Sequence, residues 1–204
     1  MKILALELST ARGSLAWLDG EVEDWHEWPN DRKNSLPFFE NLNTITKKFG
    51  GPETIIVGLG PGSYAGTRIA ISAAIGLQLS SGARLTGLPS ICAIQRDARE
   101  YCAIGDARRK SFFLARIRGH ELVEGPILFS QSELQAKLDC LEPAIPIFSS
   151  EPLPQFERAV IRYPSALVLA RLARVPHRSF SLPPLEPIYL REPHVTIPKV
   201  KTET

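Results

Sequence analysis

Residues 58–68, Gly-Leu-Gly-Pro-Gly-Ser-Tyr-Ala-Gly-Thr-Arg, carry the densest pattern with chemical potential in the chain. A β-branched run, 54–59, leads into a glycine-rich turn, and a helix follows. The first N–H groups of a helix have no intrahelical acceptor, so this junction could hold an anion. It is not a Walker loop, because no Gly-Lys-Ser/Thr follows, and its glycine spacing does not fit the dinucleotide fingerprint. A nucleophile elbow needs glycines two residues either side of Ser63, where Pro61 and Ala65 stand. Two readings remain: an anion-binding turn, or a tight strand-to-helix turn.

Glu7 closes an apolar run, 2–9, and is followed by Ser9 and Thr10. Residues 105–113, Gly-Asp-Ala-Arg-Arg-Lys-Ser-Phe-Phe, form a charged turn between two apolar runs. Seven basic residues from Arg96 to Arg118 outnumber three acidic ones. This segment could face RNA phosphates or could be a solvated turn. His26, His120, His177 and His194 lack metal-ligand spacing. Cys92, Cys102 and Cys140 form no CxxC pair, which argues against a disulfide framework and a zinc site.

The elements that must position these residues follow from periodicity. Residues 2–9, 13–18 and 21–28 read as strands, with Asp19-Gly20 as a hairpin turn. Phe39, Leu42, Ile45 and Phe49 recur at helical spacing in 36–49, which Gly50-Gly51 ends. A strand at 54–59, a helix at 63–80 closed by Gly82, a strand at 85–88 and a helix at 89–100 complete the first half. In the second half, 101–106, 111–118 and 122–129 read as strands, and 131–138 as a helix capped by Ser130 or Ser132. A strand at 145–148 is limited to an edge by Pro146. A helix at 165–174 and a last strand at 187–190 follow. The second half thus repeats the element order of the first, which is the plan of a duplicated ribonuclease-H-like α/β fold. The expected domains are 1–100 and 101–191, with 192–204 as a solvated tail.

Within the helix after Gly62, Gly66, Ala70, Ala73 and Leu77 share one face, and Ala65, Ile69, Ser72 and Gly76 share its neighbour. Small residues at this spacing admit close helix approach. The helix is therefore either wholly core, or core on one side and an interface on the other.

Composition fits a globular protein: 44% hydrophobic and 23% charged residues, with a net charge of +2 that is small for a free-standing nucleic-acid binder. Charge and proline are unevenly spread. Residues 1–98 hold nine Lys/Arg, ten Asp/Glu and five prolines; residues 99–204 hold fifteen, twelve and twelve. The second half is expected to be the more irregular. Glu7 interrupts what would be a signal-peptide core, and the longest apolar stretch, 69–79, is too short to span a bilayer. The expectation is a cytoplasmic protein without membrane contact.

Taken together, residues 3–10, 60–69, Asp106-Ala-Arg108 and 187–191 (Pro-Ile-Tyr-Leu-Arg) resemble the TsaB (YeaZ) family in order and spacing. That family usually has Phe, Thr and Leu where this chain has Tyr64, Ala65 and Thr67, and Asp where it has Glu7. Its His before a Leu-Leu-Pro-like run is replaced by Asn34-Ser-Leu-Pro37. The resemblance implies an actin-like (ASKHA) fold of two small domains. It also implies a non-catalytic subunit that binds TsaD, the enzyme that places threonylcarbamoyl on N6 of adenosine 37 in tRNA. TsaE joins the assembly, tRNA is met indirectly, and a homodimer can form through the same first two helices. The implied interface is Leu36 and Phe39 on the first helix, and Gly62, Tyr64, Gly66, Arg68, Ile69, Ala70, Ala73, Gly76 and Leu77 on the second. No catalytic residue, cofactor or metal is assigned.

Three enzyme readings compete. An ATP-binding ASKHA phosphotransferase needs an Asp-x-Gly loop in each half; Glu7 is followed by no such glycine, and Gly105-Asp106 has the reverse order. A ribonuclease-H-type nuclease needs several clustered carboxylates for two metals, and only Glu7 and Asp106 fall at strand ends. A peptidase lacks a supported Ser/His/Asp arrangement.

Overall fold

The computed structural model describes residues 1–30, 34–95 and 98–191. Two five-stranded sheets repeat one topology. The first contains β1 (Ile3–Glu7), β2 (Arg12–Asp19), β3 (Val22–Pro29), β4 (Thr54–Gly58) and β5 (Arg84–Leu88) in the order β3-β2-β1-β4-β5. The second contains β6 (Glu100–Asp106), β7 (Ser111–Arg118), β8 (Glu121–Ser130), β9 (Ile147–Ser149) and β10 (Ala159–Ile161) in the order β10-β9-β6-β7-β8. Read from its β8 edge, the second sheet has the order of the first: an antiparallel meander of three strands, then two strands parallel to the meander's first. The expected duplicated ribonuclease-H-like α/β plan is therefore present.

Burial follows the period of two. In the first sheet Leu4, Leu6, Leu15, Trp17, Ile55 and Val57 face helices α1 (Leu36–Phe49) and α2 (Tyr64–Ser81). Ile3, Ala5, Ala16, Leu18 and Ile56 point the other way, into a cluster shared with Tyr101, Ala103 and Ala115 of the second sheet. A sheet covered on both faces needs continuous apolar strands, and β1 is wholly buried. Helix α4 (Ala166–Leu172) belongs to the shared cluster and packs on β1, β2 and β4. The Ala166 N–H donates to Ser14 Oγ at 2.9 Å, and Arg171 pairs with Glu23 of β3. The outer face of the second sheet, with Cys102, Ile104 and Phe112, packs on Leu134 and Leu138 of α3 (Gln131–Asp139).

Capping matches the sequence at most ends. Ser63 Oγ accepts from Gly66 N–H, Gly82 takes a left-handed conformation after α2, and Ser130 and Glu133 form a reciprocal capping box on α3. In α1 the core is filled by Phe38, Leu42 and Ile45, and Phe39 is exposed.

Three expectations are corrected. The helix expected at 89–100 is one 3-10 turn, Ser90–Ala93. Ser90 to Ile94 are buried on all sides in the joint between the halves, and their backbone bonds across it: Ser165 N–H donates to the Ala93 carbonyl. Residues 96–97 of that stretch lie outside the described residues. β9 is interior rather than an edge, because Pro146 precedes it and needs only a carbonyl, which accepts from Cys102 N–H at 2.9 Å. β10, which periodicity misses in three residues, takes the edge. Residues 187–190 form no ladder, although Ile188 N–H donates to the Leu59 carbonyl. The expected tail, 192–204, lies outside the described residues.

Candidate functional site

The glycine-rich turn is pressed onto the end of β1. Ser63 N–H donates to the Ser9 carbonyl at 2.6 Å. A Cβ on Gly62 would fall 2.1 Å from that same oxygen, and one on Gly66 would fall 2.1 Å from the Leu8 carbonyl. Both glycines are thus required by backbone-to-backbone packing, which accounts for their spacing as a tight strand-to-helix turn. The Gly60-Pro61 peptide is cis.

Glu7 sits under this turn and is 0% exposed. Its Oε1 accepts from Ser9 N–H at 2.7 Å, while Oε2 has no partner among the described residues. The carboxyl lies over Gly58, where a Cβ would meet Oε2 at 1.7 Å. Burial pushes its pKa up, opposed by the nearby hydroxyls of Ser9 and Ser90 and by the Ser9 N–H.

The residues expected at the interface divide three ways. Leu36, Phe39, Gly62, Tyr64, Arg68 and Gly76 are exposed, and Ile69, Ala73 and Leu77 are half-buried. Gly66 and Ala70 are buried, which corrects their assignment to an interface. Ala70 is 0% exposed within the cluster beneath α2, and Gly66 meets the Leu8 carbonyl. Of the two small-residue faces of α2, the one that carries Gly66 and Ala70 turns inward. Its outer line includes two residues that sequence reasoning left out, Ile75 at 42% and Leu79 at 83% exposure. Their spacing of four was the available signal. Together with Leu36 and Phe39 of α1, they place four large apolar side chains on the solvent side of two helices that cover one sheet face.

Tyr64 and Arg68 are engaged elsewhere. Arg68 Nη1 donates to Tyr64 Oη at 2.6 Å, and the Tyr64 ring packs 5.5 Å from that of Tyr189. These two tyrosines stand at a cleft of about 640 Å3 between the halves. The start of α2, the β1–β2 turn, the β6–β7 turn and residues 187–191 surround it. At the β6–β7 turn, Asp106 Oδ1 accepts from Arg108 N–H at 2.6 Å and its Oδ2 pairs with Arg108 Nη1 at 3.2 Å. Arg108, Arg109 and Lys110 are all left-handed, with φ of 66°, 52° and 59°. The basic run is less free than its composition suggests. Arg118 and Arg116 both pair with Glu100, which holds that carboxyl below its ordinary pKa, and Arg96 lies outside the described residues.

The histidines are scattered. His26 is 3.4 Å from Asp24, His120 Nδ1 is 2.8 Å from the Cys92 carbonyl, and His194 lies outside the described residues. Among the described residues no three His, Cys, Asp or Glu side chains cluster as metal ligands. Burial pushes the Cys92 thiol up to about 12 and Cys102 up to about 11. No helix of the described residues is long and apolar enough to cross a membrane.

No family model and no curated protein matches the chain. Solved structures do. A Pseudomonas aeruginosa protein with similarity to peptidase YeaZ superposes with a TM-score of 0.71 at 21% identity, over 93% of this chain and 99% of that one. YeaZ from Pseudomonas aeruginosa gives 0.65 at 21% identity, over 85% and 91%. At such identities the likeness speaks for architecture, and the conclusion is that this chain has the two-sheet α/β fold of the YeaZ structures along nearly its whole length.

Proposed function

We propose that the chain is a non-catalytic subunit of the TsaB kind, which docks on TsaD to support threonylcarbamoylation of adenosine 37 in tRNA. The observation that carries the reading is the outer face of α1 and α2, where Leu36, Phe39, Ile75 and Leu79 are exposed. The YeaZ-like fold supports it. So does the state of Glu7, which is sealed in the chain rather than open to the cleft. Exposed apolar side chains on a helix pair gain most when another helix pair covers them. TsaD is the proposed occupant, TsaE joins the wider assembly, and a homodimer through the same face is its competitor. Contact with tRNA is indirect, and the setting is cytoplasmic.

The test uses Phe39→Asp and Leu79→Asp, both at exposed positions that leave the core intact. Burying an unpaired carboxylate at an interface costs several kcal/mol, and each 1.4 kcal/mol is about a factor of ten. Each variant should keep the circular dichroism of the parent and bind the host's TsaD at least about tenfold more weakly. The modified nucleoside should fall in cells that depend on the variant. Folded variants that bind TsaD normally and sustain the modification would move the interface elsewhere.

A further inference from the structure

We propose that the cleft between the halves is a binding site for a small organic anion, with an apolar body and one carboxylate or phosphate group. The cleft encloses about 640 Å3, within the range of small-molecule sites. Its inner wall is apolar, with Ile91, Ile94, Ala103 and Phe113 contributed from both halves. Polar groups gather at the mouth from separate segments. Arg191 lies there, bonded to the neutral Ser111 hydroxyl at 2.6 Å. The first turn of α2 opens on the same space, where the N–H groups of Tyr64 and Ala65 precede any intrahelical acceptor. Ser9, 1% exposed, also lines the cavity, and its hydroxyl lies beside the Glu7 carboxyl.

The charges at the mouth decide the class of ligand. Arg108 is paired with Asp106, and Glu151 accepts from the Asp106 N–H at 2.8 Å. Both carboxylates line the cleft with Arg108 and Arg191, so positive and negative groups are equal in number. A polyphosphate would meet two carboxylates and too few cations. A single anionic group can meet Arg191 and the α2 terminus while an apolar body fills the interior.

The probe is 8-anilinonaphthalene-1-sulfonate, compared with N-phenyl-1-naphthylamine, which has the same rings without the sulfonate. Both are titrated by fluorescence into the full chain. The anionic probe should bind more tightly than the neutral one. Arg191→Glu should weaken the anionic probe by about tenfold or more and leave the neutral probe unchanged. Ala11→Trp, at an exposed position on the cleft wall, should weaken both, and Leu79→Ser, on the outer helix face, should change neither. Displacement by 1-naphthoate or by 1-naphthyl phosphate tells which anion the cleft prefers. Equal affinity for the two probes, displacement by neither naphthyl acid, or binding that Leu79→Ser removes and Ala11→Trp does not, would each overturn the proposal. TsaD plays no part in the measurement, so its outcome is independent of the docking reading.

Discussion

Glu7 shows what a single residue reveals in sequence and what it conceals. Its type and place at the end of β1 mark it as unusual, and the missing glycine argues against phosphate chemistry. That it is sealed inside the fold depends on Gly58 in another strand, whose absent side chain makes room for the carboxyl. Spacing along the chain cannot report such a contact. The same holds for Gly62 and Gly66, whose reason is the carbonyls of Ser9 and Leu8. A pH dependence follows. Burial raises the Glu7 pKa above the ordinary 4.5, so between these values the folded state keeps a proton that the unfolded chain releases. The folded state binds more protons there, and stability falls as pH rises. The loss begins near 4.5 and is complete once pH passes the raised folded value. Glu7→Gln keeps an oxygen for Ser9 N–H and carries no titrating proton. It should be more stable than the parent at neutral pH and should flatten this part of the profile. Denaturant midpoints from about pH 5 to about pH 8 measure the effect. Parallel profiles for parent and variant would mean that Glu7 ionises freely in the folded chain.

At the scale of the element, α2 was legible as a helix but not in its orientation. Both candidate faces carry small residues, so composition could not say which turns inward. The sheet decides it: Ala70, Ile71 and Ala74 meet the apolar side of β1 and β4, and Ile75, Gly76 and Leu79 are left outside. Two glycines in this helix should respond in opposite directions to the same change. Gly66→Ala drives a Cβ toward the Leu8 carbonyl, a backbone atom that cannot step aside, and should cost about 1–3 kcal/mol or more. Gly76 has nothing within 4 Å of a built Cβ and lies mid-helix, so Gly76→Ala should stabilise by about 0.8–1 kcal/mol. Thermal denaturation of the pair checks this. Destabilisation by Gly76→Ala would place that position against a neighbour and remove it from the outer face. The elements missed by periodicity fail for a related reason. A three-residue strand such as β10, or a turn buried on every side such as Ser90–Ala93, is shaped by its partners and has too few residues to show a period.

At the scale of the whole molecule, the repeated strand order was readable because a three-strand meander followed by a helix recurs in each half. The role of α4 was not, because it belongs to the second half by sequence and packs on the first sheet. Its residues from Ala166 to Ala170, and Leu172, are buried, and the cluster they join contains the inward faces of both sheets. The halves therefore share one core, and neither can open without exposing the other's apolar surface. Unfolding should be a single transition. The chain supplies a probe for each half. Its three tryptophans, Trp17, Trp25 and Trp28, all lie in β2 and β3, and Cys102 is buried in β6. Tryptophan fluorescence and Cys102 thiol labelling, the latter in a Cys92→Ala, Cys140→Ser background, should give one denaturant midpoint. Leu169→Ala removes a fully buried side chain from α4 and should cost about 2–5 kcal/mol. Because that side chain serves the shared core, both midpoints should move together and by the same amount. A Cys102 midpoint that stays fixed while the tryptophan midpoint falls would show that α4 stabilises the first sheet alone and that the second half stands without it.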